Sequence, residues 1–363
     1  MNCELSTVNE LAMDGTAIVL CEGAFGTPSG KTAHGLVRYT DRYRVLGVID
    51  SRWAGRDAGE VLDRAFRGIP IFRSLKEALR IPERLQYLVI GLAPDGGRLP
   101  EEYRPVVREA LEAGLHVDSG LHEFLGDDPE FARLAQEHNV RIRDVRRPPP
   151  REQLHFFGGK IEEVMAVRIA VLGTDSAVGK RTTALKLTQT LNALGCKAVM
   201  VGTGQTAWMQ GVKHCIIIDS LVNDFVTGEI EQIIYTAFVE DRPKAIILEG
   251  QGCITHPAYP GGFELIAAGR PHGIVLQHAP RRLHYDGFPQ YPLSPVHREI
   301  RILELLSGVP VVALSLNHEG IIDAEIPTEL RALEERYGRP TFDILTGGAE
   351  ELARLVMKSF DLD

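Results

Sequence analysis

One strand-to-helix loop in the second half of the chain constrains its fold more than any other stretch. Residues 169–183 read IAVLGTDSAVGKRTT, an apolar run followed by a glycine-containing loop, a lysine and the start of a helix. Successive amides of such a loop point inward and can donate hydrogen bonds to phosphate oxygens, while the helix presents the positive end of its dipole. The stretch therefore predicts an α/β domain that binds a phosphate-bearing ligand.

The parts of this loop have distinct predicted roles. Lys180 brings a full positive charge to the phosphate, and Gly179 has no Cβ where phosphate and backbone approach most closely. Thr182 or Thr183 offers a hydroxyl in the first helical turn. The predicted ligand-binding residues are Gly173, Thr174, Asp175, Ser176, Ala177, Val178, Gly179, Lys180, Arg181, Thr182 and Thr183.

The loop departs from the strict phosphate-binding pattern at two positions. Thr174 stands where the pattern has its first glycine, and Arg181 follows the lysine where the pattern has Ser or Thr. In the strict pattern that hydroxyl binds Mg²⁺. The departure therefore favours diphosphate binding over metal-assisted γ-phosphate chemistry.

Alternating apolar runs and helical patterns predict two α/β domains. In the first half, AIVLCEG, YRVLGVID, LQYLVIGLAP, LHVDSG and VRIRDVR have the rhythm of strands in a parallel Rossmann-like sheet. Three prolines at 148–150, next to arginines, end this pattern, and a second parallel sheet of the P-loop type follows. We predict a Rossmann-like domain over residues 1–147, a linker over 148–165 and a P-loop domain over 166–363.

Composition disfavours several classes of partner. The formal net charge is −9, and no Lys/Arg run contains interleaved aromatic residues, so a nucleic-acid surface is not expected. The start MNCELSTVNELAMDG lacks a basic region, and no stretch approaches the roughly 20 apolar residues that span a bilayer. An odd number of cysteines without a CxxC pair is unsuited to a disulfide framework: Cys3, Cys21, Cys196, Cys215 and Cys253. We expect a cytoplasmic homo-oligomer without a membrane or nucleic-acid partner.

Two acidic residues close apolar strands of the second domain. Glu249 follows the run AIIL and precedes two glycines, so its carboxylate is expected at the carboxyl edge of the sheet, where open parallel sheets bind ligands. There it is a candidate to hold Mg²⁺ through water or to accept a proton, with a solvated strand-end glutamate as the alternative. Asp219, which closes HCIIIDS, is a second candidate. If the ligand is ATP with Mg²⁺, the predicted metal ligands are Thr182, Asp219 and Glu249.

Polar residues after other strands are candidates for substrate and base recognition. Arg270, Arg281 and Arg282 lie close in sequence, and guanidinium groups bind carboxylates and phosphates bidentately, so an acidic substrate or a second phosphate is predicted there. Surface solvation is the alternative for each arginine. Gln205 in VGTGQTAW is a further substrate candidate, unless its glycine-rich neighbourhood is only a tight turn. Asn317 in ALSLNHEG is a candidate reader of an adenine edge or a loop cap.

A second glycine-lysine pair, in the first half, is predicted not to bind phosphate. CEGAFGTPSGKTAHG contains Gly30, Lys31 and Thr32, but no glycine stands where the strict loop needs its first one, and GxGxxG is absent. Asp50 ends the second strand as a ribose-binding acid would, yet the dinucleotide fingerprint is missing. This half is therefore expected to complete a substrate cleft or an oligomer.

The loop Gly-Thr-Asp-Ser-Ala-Val-Gly-Lys resembles that of dethiobiotin synthetase and its P-loop relatives. Together with GAFGTPSGKTAHGLVRY, VIDSRWAGRDAGE, ILEGQGCITHPAY and LSLNHEG, it makes nearly the whole chain resemble a bacterial and archaeal family catalogued as of unknown function. That family joins a Rossmann-like domain to a P-loop domain. Some members are D-glutamate N-acetyltransferases, which use acetyl-CoA in D-amino-acid catabolism.

The resemblance implies an acetyl-CoA-dependent N-acetyltransferase acting on a small acidic amino acid, D-glutamate first. The loop would then hold the phosphates of CoA, and Glu249 or His256 would be the base. Two alternatives stay open. One is an ATP- and Mg²⁺-dependent ligase or small-molecule kinase like dethiobiotin synthetase, and the other is a nucleotide-dependent regulatory or assembly protein.

Overall fold

A computed structural model describes residues 13–362, which form two α/β units. The first unit consists of residues 13–148 and 205–213, and the second of residues 149–204 and 214–362. Cys3 and most of the N-terminal stretch analysed above lie outside the described residues. Each unit is built on a parallel sheet, which confirms the predicted fold class.

The first unit contains six parallel strands and the helices that connect them. The strands are β1 (Gly15–Leu20), β2 (Tyr43–Ile49), β3 (Ile71–Phe72), β4 (Tyr87–Ile90), β5 (His116–Ser119) and β6 (Ile142–Asp144). The helices are α1 (Lys31–Arg38), α2 (Ala58–Asp63), α3 (Leu75–Ala78), α4 (Arg104–Glu112) and α5 (Pro129–Glu137). The strand order β3-β2-β1-β4-β5-β6 is that of a doubly wound Rossmann sheet.

Local sequence explains these elements. All four residues of β4 are buried, as expected for a strand of a parallel sheet whose two faces are both covered. Asp57 and Asp128 cap α2 and α5, because each carboxylate accepts hydrogen bonds from two amides of the first turn. Pro129 then occupies the first helical position of α5, where its missing N–H has no cost.

The second unit contains a seven-stranded parallel sheet and a two-stranded hairpin. Its strands are β7 (Val167–Gly173), β8 (Ala198–Gly202), β9 (His214–Cys215), β10 (Ala245–Glu249), β11 (Gly273–His278), β12 (His284–Tyr285), β13 (Phe288–Pro292), β14 (Val311–Leu316) and β15 (Thr341–Phe342). The helices in this part of the chain are α6 (Lys180–Ala193), α7 (Gln205–Met209, which belongs to the first unit), α8 (Asn223–Asp241), α9 (Phe263–Gly269), α10 (Val296–Ser307), α11 (Ile326–Tyr337) and α12 (Ala349–Ser359). Across residues 13–362, no helix has the length and apolar character needed to cross a membrane.

The order of the second sheet, β15-β14-β11-β7-β10-β8-β9, places β7 at its centre. The neighbours of β7 are β11 and β10, and all three strands are parallel, so the segments that follow them emerge at one edge. Residue Gly250 and the turn after His278 therefore lie beside the loop that begins at Gly173. This carboxyl edge is where open parallel sheets bind ligands.

The stretch from Gly250 to Arg298 contains several regular elements. It contains α9, β11, the antiparallel hairpin of β12 and β13, and the start of α10. The run HCIIIDS, predicted as a strand that Asp219 closes, is mostly not a strand. Only His214 and Cys215 form a strand, because β9 pairs with β8 over two residues at the edge of the sheet and the chain then turns.

The segment predicted as a linker packs against α8 within the second unit. Buried Glu231 of α8 accepts hydrogen bonds from the amides of Gly158 at 2.6 Å and Ile161 at 3.2 Å. Gly228 of the same helix allows close approach, since a Cβ there would lie 2.0 Å from the carbonyl oxygen of His155. Residues 155–161 are thus held by a defined helix face.

Candidate functional site

The loop of residues 173–180 joins the carboxyl end of β7 to the first turn of α6. Its backbone turns sharply, because Ala177 and Gly179 have positive φ angles of 50° and 103°. Within residues 13–362, the amides of Ala177, Val178 and Gly179 donate no hydrogen bond to the protein. Consecutive unpaired amides at the start of a helix form a concave anion site. The loop therefore has the geometry of a phosphate cradle.

Lys180 is buried, and its side chain folds back over the loop. Its Nζ donates a hydrogen bond to the carbonyl oxygen of Asp175 at 2.7 Å. Burial lowers the pKa of Lys180 to about 8, although the negative charges of Asp175 and Glu249 oppose that shift. The ammonium is therefore charged at neutral pH, and it loses its proton only slightly above neutrality.

Hydroxyl groups of the loop and of α6 anchor it to β11. Thr174 Oγ1 lies 2.9 Å from Nδ1 of His278, and Thr183 Oγ1 donates to Oε1 of Gln277 at 2.5 Å. Burial lowers the pKa of His278 to about 4, so this histidine is neutral. Thr183 is fully buried whereas Thr182 is only partly buried. Thr182 is therefore the more accessible hydroxyl of the first helical turn.

Asp175 is a fully buried carboxylate within the loop. Its Oδ1 accepts from the amide of Ser176 at 2.7 Å, and its Oδ2 accepts from the amide of Asp286 at 3.0 Å. Oδ2 also accepts from Nη1 of Arg282 at 3.0 Å. Because a buried carboxylate needs such partners, its side chain is committed to the protein and not to a ligand.

Arg282 contacts the loop itself. Besides Asp175, its guanidinium donates to the carbonyl oxygens of Ser176 at 2.9 Å and Ala177 at 3.3 Å. It also donates to Oε2 of Glu319 through Nε at 2.9 Å and Nη2 at 2.7 Å. The residue predicted to bind a substrate carboxylate thus has its hydrogen bonds directed to the phosphate loop and to one glutamate.

Asn317 also holds the loop. Its Nδ2 donates to the carbonyl oxygen of Val178 at 2.8 Å, and its Oδ1 accepts from the amide of Glu319 at 2.9 Å. Both ends of the side-chain amide are therefore engaged by the protein. Of the two roles that the sequence left open, a reader of an adenine edge and a loop cap, the geometry favours the cap.

Glu249 ends β10 and is buried. Its Oε2 accepts from the amide of Thr203 at 2.9 Å, and its carbonyl oxygen accepts from the hydroxyl of the same threonine at 2.9 Å. Burial raises the pKa of Glu249, and the positive charges of Arg181 and Lys180 oppose that rise. A carboxylate with a raised pKa at the ligand edge of the sheet is suited to accepting a proton.

His256 is buried, in an aromatic surrounding formed by Tyr259, Tyr285 and Phe288. Its Nδ1 accepts hydrogen bonds from the amides of Ala258 at 3.1 Å and Tyr259 at 3.0 Å, which places the proton of the neutral ring on Nε2. Burial also lowers its pKa.

The Nε2–H group of His256 has no hydrogen bond in the described part of the chain, and Oδ1 of Asp175 lies 3.4 Å away. Since Nδ1 is occupied by two amides and Nε2 already carries a proton, the ring is arranged to donate a hydrogen bond. This geometry disfavours the role of general base and leaves Glu249 as the better candidate.

Three predicted residues of the second unit are not directed to the loop. Arg270 lies before β11, at the amino edge of the sheet, and its guanidinium pairs with Glu162. Arg281 is half-exposed and pairs with Glu329 of α11 at 3.3 Å. Asp219 is exposed in a turn after β9, which two strands separate from β7.

Gln205 belongs to the first unit, at the start of α7. Its Oε1 accepts a hydrogen bond from Nη2 of Arg146 at 2.9 Å, and both side chains are buried. Within that unit the glutamine therefore has a structural partner.

Two polar residues that contact the loop were missed by the sequence analysis. Gln277 is buried near the end of β11, where its Oε1 accepts the hydrogen bond from the Thr183 hydroxyl. Asp286 lies in the turn of the β12–β13 hairpin, and its amide reaches Asp175. Signals for both were present, because Gln277 interrupts an apolar strand and the pair Asp286-Gly287 is typical of a hairpin turn.

A cavity of about 260 Å³ lies after β10, beside the chain segment that follows Glu249. Its polar side chains include Asp219, Asn223, Gln251 and Glu264, and its apolar ones include Leu221 and Tyr259. Among the described residues that line it there is no Lys or Arg. Its charge therefore does not favour a dicarboxylic ligand.

Comparison with known proteins identifies both units. Residues 155–353 match a family model described as "Domain of unknown function (DUF1611_C) P-loop domain", and residues 51–148 match one described as "Domain of unknown function (DUF1611_N) Rossmann-like domain". A crystal structure of a DUF1611 family protein from Anabaena variabilis superposes with a TM-score of 0.87 at 29% identity, covering 94% of this chain and 99% of that one.

Two curated relatives carry the name of an enzyme. A protein from Tritonibacter scottomollicae, named D-glutamate N-acetyltransferase, is 33% identical over 275 residues, which cover 73% of this chain and 79% of the relative. A protein of the same name from a Pseudoalteromonas species is 29% identical over 271 residues, with the same coverage.

Proposed function

Because the chain belongs to the DUF1611 family, and because two curated relatives are named D-glutamate N-acetyltransferase, we propose that it transfers an acetyl group from acetyl-CoA to the amine of a small acidic amino acid. D-glutamate is the first acceptor to test. The similarity to the relative from Tritonibacter scottomollicae carries the proposal, since it extends over 73% of the chain.

The phosphate loop supports a role in binding CoA. CoA carries a diphosphate and a 3′-phosphate, so a loop with three unpaired amides and the ammonium of Lys180 is suited to it. Binding of CoA transfers no γ-phosphate and needs no Mg²⁺ at the residue after the lysine. The presence of Arg181 at that position therefore agrees with the proposal.

Glu249 supports the chemistry. Attack on a thioester requires the acceptor amine to be neutral, so a base must remove a proton. In the proposed step the amine nitrogen attacks the thioester carbonyl carbon, a C–N bond forms and the C–S bond breaks. The proton of the amine passes to Glu249, and the thiolate of CoA leaves and takes up a proton. The raised pKa of Glu249 brings its proton affinity closer to that of the amine.

The geometry of the phosphate loop alone also supports an ATP-dependent ligase or kinase. For that alternative, Thr182 and Glu249 are the candidate Mg²⁺ ligands at the same edge of the sheet.

One assay separates the alternatives. The purified protein is incubated with acetyl-CoA and a panel of D- and L-amino acids, and released thiol is measured beside a parallel assay of phosphate release from ATP. The proposal expects thiol release that depends on the acceptor and is greatest with an acidic amino acid. Acceptor-dependent phosphate release without thiol release would instead establish the ATP-dependent enzyme.

A further inference from the structure

We propose that Arg282, together with Asn317, is a positioning residue that presets the phosphate loop for its ligand, and that it does not bind the substrate's carboxylate. The inference rests on the proposed function only in taking residues 173–180 as the site of a phosphate-bearing ligand. The inference is that side-chain hydrogen bonds to three loop carbonyls direct the N–H groups of the same peptides toward the ligand.

The hydrogen bonds of Arg282 leave its guanidinium no N–H for a substrate. A guanidinium has five N–H groups, and five hydrogen bonds from Arg282 go to acceptors of the protein. The acceptors are a buried carboxylate, two loop carbonyls and Glu319. To bind a ligand carboxylate bidentately, the side chain would have to give up two of these five bonds, such as the pair that its Nε and Nη2 make with Glu319.

The carbonyls that Arg282 and Asn317 bind fix the amides on the other side of the same peptides. A trans peptide is planar, so its N–H points opposite to its C=O. Arg282 holds the carbonyls of Ser176 and Ala177, and Asn317 holds that of Val178. The N–H groups of the three peptides are those of Ala177, Val178 and Gly179, which are the amides that donate to no described residue.

Each of the three peptides is therefore turned by a side chain bound to its oxygen, and its N–H is directed away from that side chain. Glu319 links the two positioning residues, because its carboxylate accepts from Arg282 and its amide donates to Asn317. The positive φ of Ala177, which is unusual for a residue with a Cβ, is held in this way. Pre-orientation lowers the cost of ordering the loop when a phosphate binds.

The test measures binding directly, with ADP and with CoA as probes, by calorimetry on the full chain. Arg282→Ala is expected to weaken both ligands by about 10- to 100-fold, the range that a misplaced binding group produces. Arg281→Ala is the matched control, because this neighbouring arginine pairs with Glu329 and contacts no loop carbonyl in residues 13–362. Its ADP affinity should stay within about twofold of the parent.

A second variant tests whether Arg282 and Asn317 act together on the adjacent peptides of the loop. Asn317→Ala should also weaken ADP, and the Arg282→Ala/Asn317→Ala double variant should lose less than the product of the two single effects, since both act on one cradle. Arg282→Lys should recover part of the affinity, because an ammonium can still reach loop acceptors. A residue needed only for stability would lower Tm in each case without this pattern in the affinity of the folded protein.

The outcomes are distinguishable from those of the acetyltransferase assay. Unchanged ADP and CoA affinity in Arg282→Ala, with a raised acceptor KM, would overturn the inference and restore the arginine as a substrate ligand. Weakened ADP and CoA binding in a protein that releases no thiol would support the inference and reject the activity. If Arg282→Ala does not fold, Glu319→Gln replaces it, and unchanged ADP affinity there would equally overturn the inference.

Discussion

The molecule contains two strand-loop-helix turns with a Gly-Lys pair, and they use their backbone differently. One joins β1 to α1 and includes Gly30 and Lys31, and the other joins β7 to α6 and includes Gly179 and Lys180. In the second, three successive amides donate to no described residue. In the first, the amides of Ala24, Phe25, Thr27 and Gly30 already donate to groups of the protein.

Internal hydrogen bonds close the first loop. The amides of Ala24, Thr27 and Gly30 each donate to a carbonyl three residues earlier, and that of Phe25 donates to Oδ2 of Asp50 at 3.0 Å. A short 3-10 turn, Pro28–Gly30, then leads into α1. A phosphate would have to compete with bonds that are already made.

The difference lies in which groups bind the loop from outside. A carboxylate, Asp50, binds an amide of the first loop and so removes a donor. Donor side chains, Arg282 and Asn317, bind carbonyls of the second loop and so free the opposite amides. Residues far from each loop in sequence thus decide which of its backbone amides are left free to donate to a ligand.

The largest expected effect concerns the acids at the ends of β10 and β2, Glu249 and Asp50. Glu249→Gln should lower acetyl-transfer turnover by about 10² or more, because an amide cannot accept the proton of the amine. Affinity for CoA should stay within a few-fold, since Glu249 donates nothing to the phosphates. Initial rates and calorimetry on the same preparation measure both quantities.

Asp50→Asn is the paired control for that experiment. Asp50 accepts from the amides of Phe25 and Arg52, so its replacement should destabilise the first unit by about 1–3 kcal/mol. Denaturant unfolding measures this loss. Wild-type turnover in Glu249→Gln would assign Glu249 a structural role like that of Asp50. The two acids would then no longer differ in function.

The next effect compares the two lysines. Lys180→Ala should weaken ADP and CoA by about 1.5–3 kcal/mol, the contribution of a charge-assisted hydrogen bond. Lys31→Ala should leave both affinities unchanged, because Lys31 is exposed and follows a loop in which four amides already donate to the protein. Calorimetry on the two variants is the measurement, and equal losses would mean that the first loop also binds phosphate.

The sequence was sufficient for the two parallel sheets and for the position of the phosphate loop, because apolar strand runs and the Gly-Lys turn are local signals. It also predicted the place of Glu249 at a strand end. It was not sufficient to say what Arg282 and Asn317 contact. Arg282 follows β11, which the sheet order places beside β7, and Asn317 follows β14, which lies one strand further away. The tautomer of His256 depends on amides that only the turn after it supplies. The expected homo-oligomer and cytoplasmic location stay predictions.

The smallest effect is a pH dependence that the second loop should show. Lys180 has a pKa of about 8, below its ordinary value, and therefore loses its charge as the pH rises through 8. Between pH 7 and 9 the affinity for ADP should fall by up to about tenfold, because the phosphates of ADP are already ionised in this range. Lys180→Ala should abolish the slope, whereas Lys31→Ala should keep it. A flat profile in the parent protein would show that the buried ammonium stays charged, and that burial matters less to this loop than its contacts do.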